Sequence, residues 1–201
     1  MIVRDRGVIS PQDALDLEER LFSGKEYGVT VYTRDRPTVS LGRFNRAEEC
    51  VDIDFAEKND IAVVRRKSGG SAIYSDPKQL VFSVVVPRSE FDSKMDSYKV
   101  ICNCLVKTLA HLKIDAEFKP RNDVLVNGKK ISGCAQFRDR ETLLHHGTLI
   151  LSLDQRMMDC AIKPVKERKY PGMTSVEEIL GEVPERKRII EAFEKGFKDL
   201  R

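Results

Sequence analysis

Apolar side chains recur at three- and four-residue spacing in several stretches of the chain, the period of helices that bury one face. Met95–Leu112 is the clearest, with Met95, Tyr98, Ile101, Leu105, Leu109 and Leu112 forming one stripe. Gln12–Phe22 gathers Leu15, Leu17, Leu21 and Phe22, and Ser10 with Pro11 supplies the start signal. Glu185–Leu200 carries Ile189, Ile190, Phe193 and Phe197. Ser175-x-x-Glu178 reads as a capping box before a short helix that Gly181 can end. Shorter β-rich runs predict strands at Val29–Thr33, Thr38–Leu41, Ala62–Arg66, Leu80–Val86, Asp123–Val126, Lys130–Ala135 and Thr148–Leu153. The Asn127-Gly128 pair between two apolar runs is a hairpin signal. Strands that arrive as hairpins interrupted by helices, without steady alternation, favour α+β with a mixed, mostly antiparallel sheet flanked by helices.

Composition narrows the function classes. The 201 residues hold 35 Lys+Arg against 32 Asp+Glu, a formal charge of +3, with 41% hydrophobic and 33% charged residues. Such a chain buries a core, so disorder is excluded. A charge of +3 without basic–aromatic interleaving gives no reason to expect nucleic acid. Repeats, low-complexity tracts and Gly/Ser linkers are absent, so residues 1–201 read as one domain. No window reaches the apolar length of a membrane span, and MIVRDRGVIS does not resemble a signal peptide. Five cysteines, an odd number with no C-x-x-C pair, suit reduced thiols in a cytoplasmic protein.

Three segments carry chemistry. Arg65-Arg-Lys-Ser-Gly-Gly-Ser-Ala-Ile-Tyr74 leaves a predicted strand; Gly69 and Gly70 let backbone N–H groups approach an anion, and Arg65, Arg66 and Lys67 add charge. An ordinary Gly-Gly turn with solvated basic residues reads equally well. Arg121-Asn-Asp-Val-Leu-Val-Asn-Gly-Lys-Lys-Ile-Ser-Gly-Cys-Ala-Gln136 places Lys130 where its ammonium can meet a phosphate or an acyl oxygen, and Asn122 and Asp123 offer oxygens suited to Mg²⁺. The plain alternative is a hairpin with Lys129 and Lys130 in water. Leu143-Leu-His-His-Gly-Thr-Leu-Ile150 opens a strand with adjacent histidines, which point to opposite faces and cannot readily share a metal; one packed and one exposed imidazole is the expectation.

Taken in order, these segments resemble the lipoate–protein ligase family of the biotin/lipoyl ligase and transferase superfamily. Arg65–Asp76 is similar to R-R-x-[ST]-G-G-G-A-V-[YF]-H-D, Asn122–Gln136 to N-D-[IL]-x-V-x-G-[RK]-K-I-S-G-x-A-Q, and His145–Leu149 to H-H-G-T-L. Leu41-Gly-Arg-Phe-Asn45 and Gly172-Met-Thr-Ser-Val176 extend the likeness. It implies a fold like the catalytic domain of biotin ligases and class II synthetases. It also implies activation of lipoate with ATP to lipoyl-AMP, then transfer to a lysine of an acceptor: the lipoyl domain of a 2-oxoacid dehydrogenase complex or the glycine cleavage H protein. On that resemblance Lys130 is the catalytic residue, bridging acyl carbonyl and α-phosphate. Arg66 would hold the anionic end of lipoate or the phosphate. Ser68, Gly69, Gly70, Ser71, Ala72, Ile73 and Tyr74 would form the nucleotide loop, and Asn122 and Asp123 would organise phosphate and Mg²⁺, with Asp123 as the metal ligand. Gly133 and Ala135 would complete the binding strand, and His146 with Gly147 the floor of the lipoyl tunnel.

The chain departs from the pattern at Ser71, where a third glycine is expected, and at Ser75, where a histidine is expected. It also ends about where family ligases begin an accessory domain, which suggests a separate accessory subunit for adenylation. Two other readings compete. An octanoyltransferase works through a Cys thioester, but Tyr170 and Pro171, or Asp115 to Lys119, stand where its cysteine would. A non-catalytic lipoate- or nucleotide-binding subunit would not need Lys130 and Asn122.

Overall fold

Helices start where a side chain takes over a free backbone N–H. Ser10 Oγ accepts from Asp13 N, Asp52 from Phe55 N, Ser93 from Asp96 N, Asp154 from Met157 N and Ser175 from Glu178 N. The computed structural model describes residues 1–163 and 172–200. Its helices are α1 (Pro11–Ser23), α2 (Ala47–Cys50), α3 (Ile53–Lys58), α4 (Lys94–His111), α5 (Gln155–Ala161), α6 (Val176–Leu180) and α7 (Arg186–Phe197). The expected capping box is half realised: Ser175 caps, while Glu178 reaches Thr174 and Lys129 instead of back to Ser175.

The strands are β1 (Val3–Ile9), β2 (Gly28–Arg34), β3 (Thr38–Leu41), β4 (Ala62–Arg65), β5 (Ile73–Ser75), β6 (Gln79–Pro87), β7 (Glu117–Lys119), β8 (Asp123–Val126), β9 (Lys129–Arg138) and β10 (Thr142–Ile150). Seven form a sheet in the order β1-β2-β6-β10-β9-β8-β7, and β4-β3-β5 form a second. Among the strand pairs of the described residues, β1–β2 and β3–β4 are parallel and the others antiparallel, so the α+β expectation holds. Among the described residues, no helix is long and apolar enough to cross a membrane.

The large sheet is buried on both faces, which is why β2, β6 and β10 are hidden along nearly their whole length. Val29, Val31, Phe82, Val84, Leu143 and Leu149 pack under α4 and α7. Tyr32, Val81, Val85 and Leu144 face α1. Around the small sheet, Val39, Leu41, Val51, Ile61 and Tyr74 form a third cluster with α3 and α5.

Three expectations change. β10 begins at Thr142, six residues early, so His145 and His146 lie within a strand; a Gly and two His hid the run because both faces are buried. Met95 belongs to the helical stripe by spacing but is 46% exposed, at the start of α4 where the core has ended. β1 was not foreseen because its alternation breaks at Gly7 (φ +67°), where the β1–β2 register shifts between Asp5 and Val8.

Helices α4 and α7 touch through a missing side chain. A Cβ on Gly196 would lie 2.6 Å from Thr108 N and 2.7 Å from Cys104 O, both backbone atoms. Gly196→Ala gains about 1 kcal/mol of helix propensity but must part the helices, a cost of about 1–3 kcal/mol. A net loss of stability is expected, with melting several degrees lower by calorimetry. Melting at or above the wild-type temperature would contradict this close packing.

Candidate active site

The face of the large sheet turned toward α1 presents its residues in rows, because strand partners share a face. One row runs Asp123, Gly133, Thr148, Val81, Tyr32 across β8, β9, β10, β6 and β2. The next runs Ala135, His146, Ser83, Thr30. Above them the segment from Gly69 to Ser75 crosses from the small sheet, and a cleft of about 1210 Å³ lies between.

Lys130 owes its place to a glycine. A Cβ on Gly133 would stand 2.5 Å from Lys130 Nζ, so the ammonium lies over bare backbone on the floor. There it meets Asp123 Oδ1 at 2.6 Å. Its backbone is fixed too: Lys130 N donates to Gly172 O and Lys130 O accepts from Thr174 N, at 2.7 and 3.0 Å. Asn122 lines the cleft and spends its amide N–H on Cys134 O at 2.6 Å, leaving its side-chain oxygen for a ligand. Asp123, expected to hold Mg²⁺, does not fit that role: its carboxylate is paired with an ammonium that a divalent cation would repel.

Of the six basic residues in the two segments, Arg66, Arg121 and Lys130 line the cleft. Arg65 donates to the carbonyls of Gly42, Arg43 and Asn45 and so builds the preceding turn. Lys67 pairs with Glu19, and Lys129 with Glu178 at 2.7 Å. Gly42 lies so close to Gly70 O that a side chain there would overlap it, which presses the turn onto the glycine loop. Gly69, Gly70, Ser71, Ala72, Ile73 and Tyr74 all line the cleft, as do Gly133, Ala135, His146 and Gly147.

Behind the loop runs a buried polar chain that sequence reading missed. Arg66 donates to Ser40 O, Gly69 O and Ser71 O, and through Nε to Ser68 Oγ at 3.0 Å. Ser68 Oγ, which accepts from that guanidinium, lies 2.6 Å from His146 Nε2. His146 Nδ1–H then donates to Glu18 Oε2 at 2.8 Å, and Tyr32 and Ser83 donate to Glu18 Oε1. Burial alone would push the Glu18 carboxyl up; His146 and Ser83 outweigh it and hold it down at about 2. Burial draws Arg66 down to about 10, so it stays charged at neutral pH. Glu18 was hidden because an acid in an amphipathic helix reads as solvated. Its signal was position: it sits one turn from Ala14, between Leu17 and Leu21 on the buried face.

Neither histidine is exposed, contrary to expectation: His145 is 0% and His146 7% exposed. They do take opposite faces. His145 lies on the α4 side near Cys102 and Cys134, whose sulfurs are 3.8 Å apart. These three have metal-ligand character, but the chemistry of Gln136 argues against an ion. Arg138 donates to the Gln136 side-chain oxygen, which turns its NH₂ to His145 Nδ1 at 2.9 Å. Nδ1 therefore accepts, and Nε2 carries the proton instead of a free lone pair. The Cys102 S–H stabilises a thiolate at Cys134 and lowers it against burial, while Cys102 itself is raised.

Comparison with known proteins gives the same picture. Residues 10–198 match the family model described as lipoyl protein ligase A/B catalytic domain. The lipoate-protein ligase LplJ of Bacillus subtilis is 28% identical over 92% of this chain and 56% of its own length. The octanoyltransferase LipM of Oceanobacillus iheyensis is 29% identical over 95% of this chain and 82% of its own. A structure described as a bipartite lipoate protein ligase and its E2 lipoyl domain, from Thermoplasma acidophilum, superposes with TM-score 0.83 at 25% identity, covering 98% of this chain and 84% of that one. Biotin protein ligase of Aquifex aeolicus shares the fold alone: TM-score 0.57 at 18% identity, covering 99% and 68%. The chain thus spans little more than half of the Bacillus ligase.

The Glu18 carboxylate ties stability to pH. Its folded value lies near 2, below the ordinary 4.5, so its contribution is complete above about pH 4.5 and fades as pH falls toward 2. Against Glu18→Gln, wild type should be more stable by about 3 kcal/mol at pH 7. That gap should shrink between pH 4.5 and 2.5 in denaturant titrations. An unchanged gap across this window would mean that the ionised carboxylate does not hold α1 to the strands beneath it.

Proposed function

The chain belongs to the lipoyl protein ligase A/B catalytic-domain family, and from that premise we propose that it is a lipoate–protein ligase. It would activate lipoate with ATP to lipoyl-AMP and pass the lipoyl group to a lysine of a lipoyl domain. The observation that carries this reading is Lys130 Nζ over Gly133, in a cleft with the glycine loop opposite. An ammonium on a bare backbone floor can lie against both the acyl carbonyl and the α-phosphate. It offsets negative charge as the carboxylate attacks and again as the acceptor amine displaces AMP. Asp123 holds that ammonium when the cleft is empty of substrate and orients it without reorganisation. The Gly69–Ser71 backbone supplies N–H groups for phosphate oxygens, and the Arg66–Ser68–His146–Glu18 chain keeps that loop in place. A 2-oxoacid dehydrogenase lipoyl domain or a glycine cleavage H protein is the proposed acceptor. A separate accessory chain for adenylation and a cytoplasmic setting belong to the same proposal.

The likeness to an octanoyltransferase supports a second reading, transfer from octanoyl carrier protein without ATP. That chemistry needs a thiol beside the acyl site. Cys134 lines the cleft, but its sulfur accepts from the Cys102 S–H on α4. Of the two places where the resemblance would put the transferase cysteine, Tyr170 and Pro171 lie outside the described residues, and Asp115 to Lys119 holds no cysteine.

The test is to incubate the chain with ATP, Mg²⁺, lipoate and an apo lipoyl domain, with and without a candidate accessory chain, and to weigh the acceptor. A second tube holds octanoyl carrier protein and no ATP. Mass gain in the first tube supports ligation; gain confined to the second overturns it in favour of transfer. Lys130→Ala should lower acceptor modification by roughly 100-fold. Gly133→Ala should lower it about tenfold or more by displacing the ammonium, with melting little changed. Full activity in Lys130→Ala would sink the mechanism.

A further inference from the structure

One buried guanidinium makes no side-chain hydrogen bond among the described residues and has no part in the proposed reaction. Arg34, at the end of β2, is 5% exposed, yet its Nε and Nη1 are buried without a hydrogen-bond partner among the described residues. It lies two residues beyond Tyr32, hence on the same face of the sheet, and it lines the cleft. Its charge helps to hold the Glu18 carboxyl down, but no hydrogen bond joins the two. That carboxylate already accepts from His146, Tyr32 and Ser83. Arg66, the other buried guanidinium of the cleft, has four acceptors within the protein.

A second orphan lines the same cleft. Ser75 Oγ is buried and unpartnered, at the position where the resembled motif carries a histidine. Ser75 pairs with Thr38, four residues past Arg34, so both belong to the end of the cleft where β2 passes into β3. Gln79, also lining the cleft, is at the start of β6, the strand beside β2. Lys130 is three strands away; at about 4.8 Å per strand, with one residue of offset, the backbones are roughly 15 Å apart.

A buried guanidinium without acceptors costs several kcal/mol and calls for an explanation. We propose that Arg34, with Ser75, forms a second anion-binding subsite of the cleft, which takes a carboxylate or phosphate group at the far end of a ligand whose other end lies at Lys130. The planar fork of Arg suits two oxygens of such a group. The two sources of that oxyanion are the far end of the acyl chain, which would then be a dicarboxylic acid, and the phosphates of a nucleotide.

The experiment compares the full chain with Arg34→Met, using calorimetric titration with octanoate, octanedioate, AMP, ATP and inorganic phosphate. Octanedioate weakened tenfold or more in Arg34→Met, with octanoate unchanged, assigns the subsite to the acyl chain. AMP, ATP or phosphate weakened to that extent assigns it to phosphate. No probe differing by more than twofold between the two proteins overturns the proposal. Melting of the ligand-free proteins gives an independent readout. Removing an unpaired buried charge should leave Arg34→Met as stable as wild type or more so, whereas melting several degrees lower would make Arg34 a structural residue and also overturn it. The phosphate arm needs no acyl substrate, so a failure of the ligase assay leaves this test intact.

Discussion

The cleft depends on one buried carboxylate. Glu18 on α1 takes three hydrogen bonds, from His146 on β10, Tyr32 on β2 and Ser83 on β6, so a single side chain ties one helix to three strands of the sheet. Through His146 and Ser68 it reaches Arg66, whose guanidinium gathers the carbonyls of Ser40, Gly69 and Ser71. Each link is directional, so the glycine loop has one position relative to the floor. An apolar core would hold α1 as firmly, but not the loop at a fixed height over a polar cleft.

Glycines set the remaining distances. At Gly133 the missing side chain makes room for an ammonium; at Gly42 it admits the carbonyl of Gly70; at Gly147 the volume is taken by Phe82 and the Cys134 sulfur from the opposite side. The same residue type thus does opposite work on adjacent strands. One glycine opens the cleft, and the other lets the core close beneath it.

The sequence made the longer helices and most central strands legible, because Leu80–Val86 and Met95–Leu112 have periods that only burial explains, while the short α2, α3 and α5 were not foreseen. It did not reveal β1, whose alternation is interrupted by a bulge, or β5 and β7, which are three residues each. At the site, the structure brings Lys130, Gly69, Gly70 and His146, which the family resemblance had singled out, to one cleft. Glu18, Tyr32, Ser83 and Arg34 were not legible, since their role comes from neighbours distant in the chain. Arg65 and Lys67 were over-read: proximity in sequence to a binding loop does not aim a side chain at it.

The outer strands of the large sheet bear on how the molecule meets others. On one side β1 is interrupted by its Gly7 bulge and studded with Arg4, Asp5 and Arg6, and on the other β7 is only three residues long. Neither presents the long, flat row of free backbone groups that another chain could extend. Crowded copies of this protein therefore lack a template for edge-to-edge stacking through the large sheet, and a macromolecule docking there must be recognised through side chains.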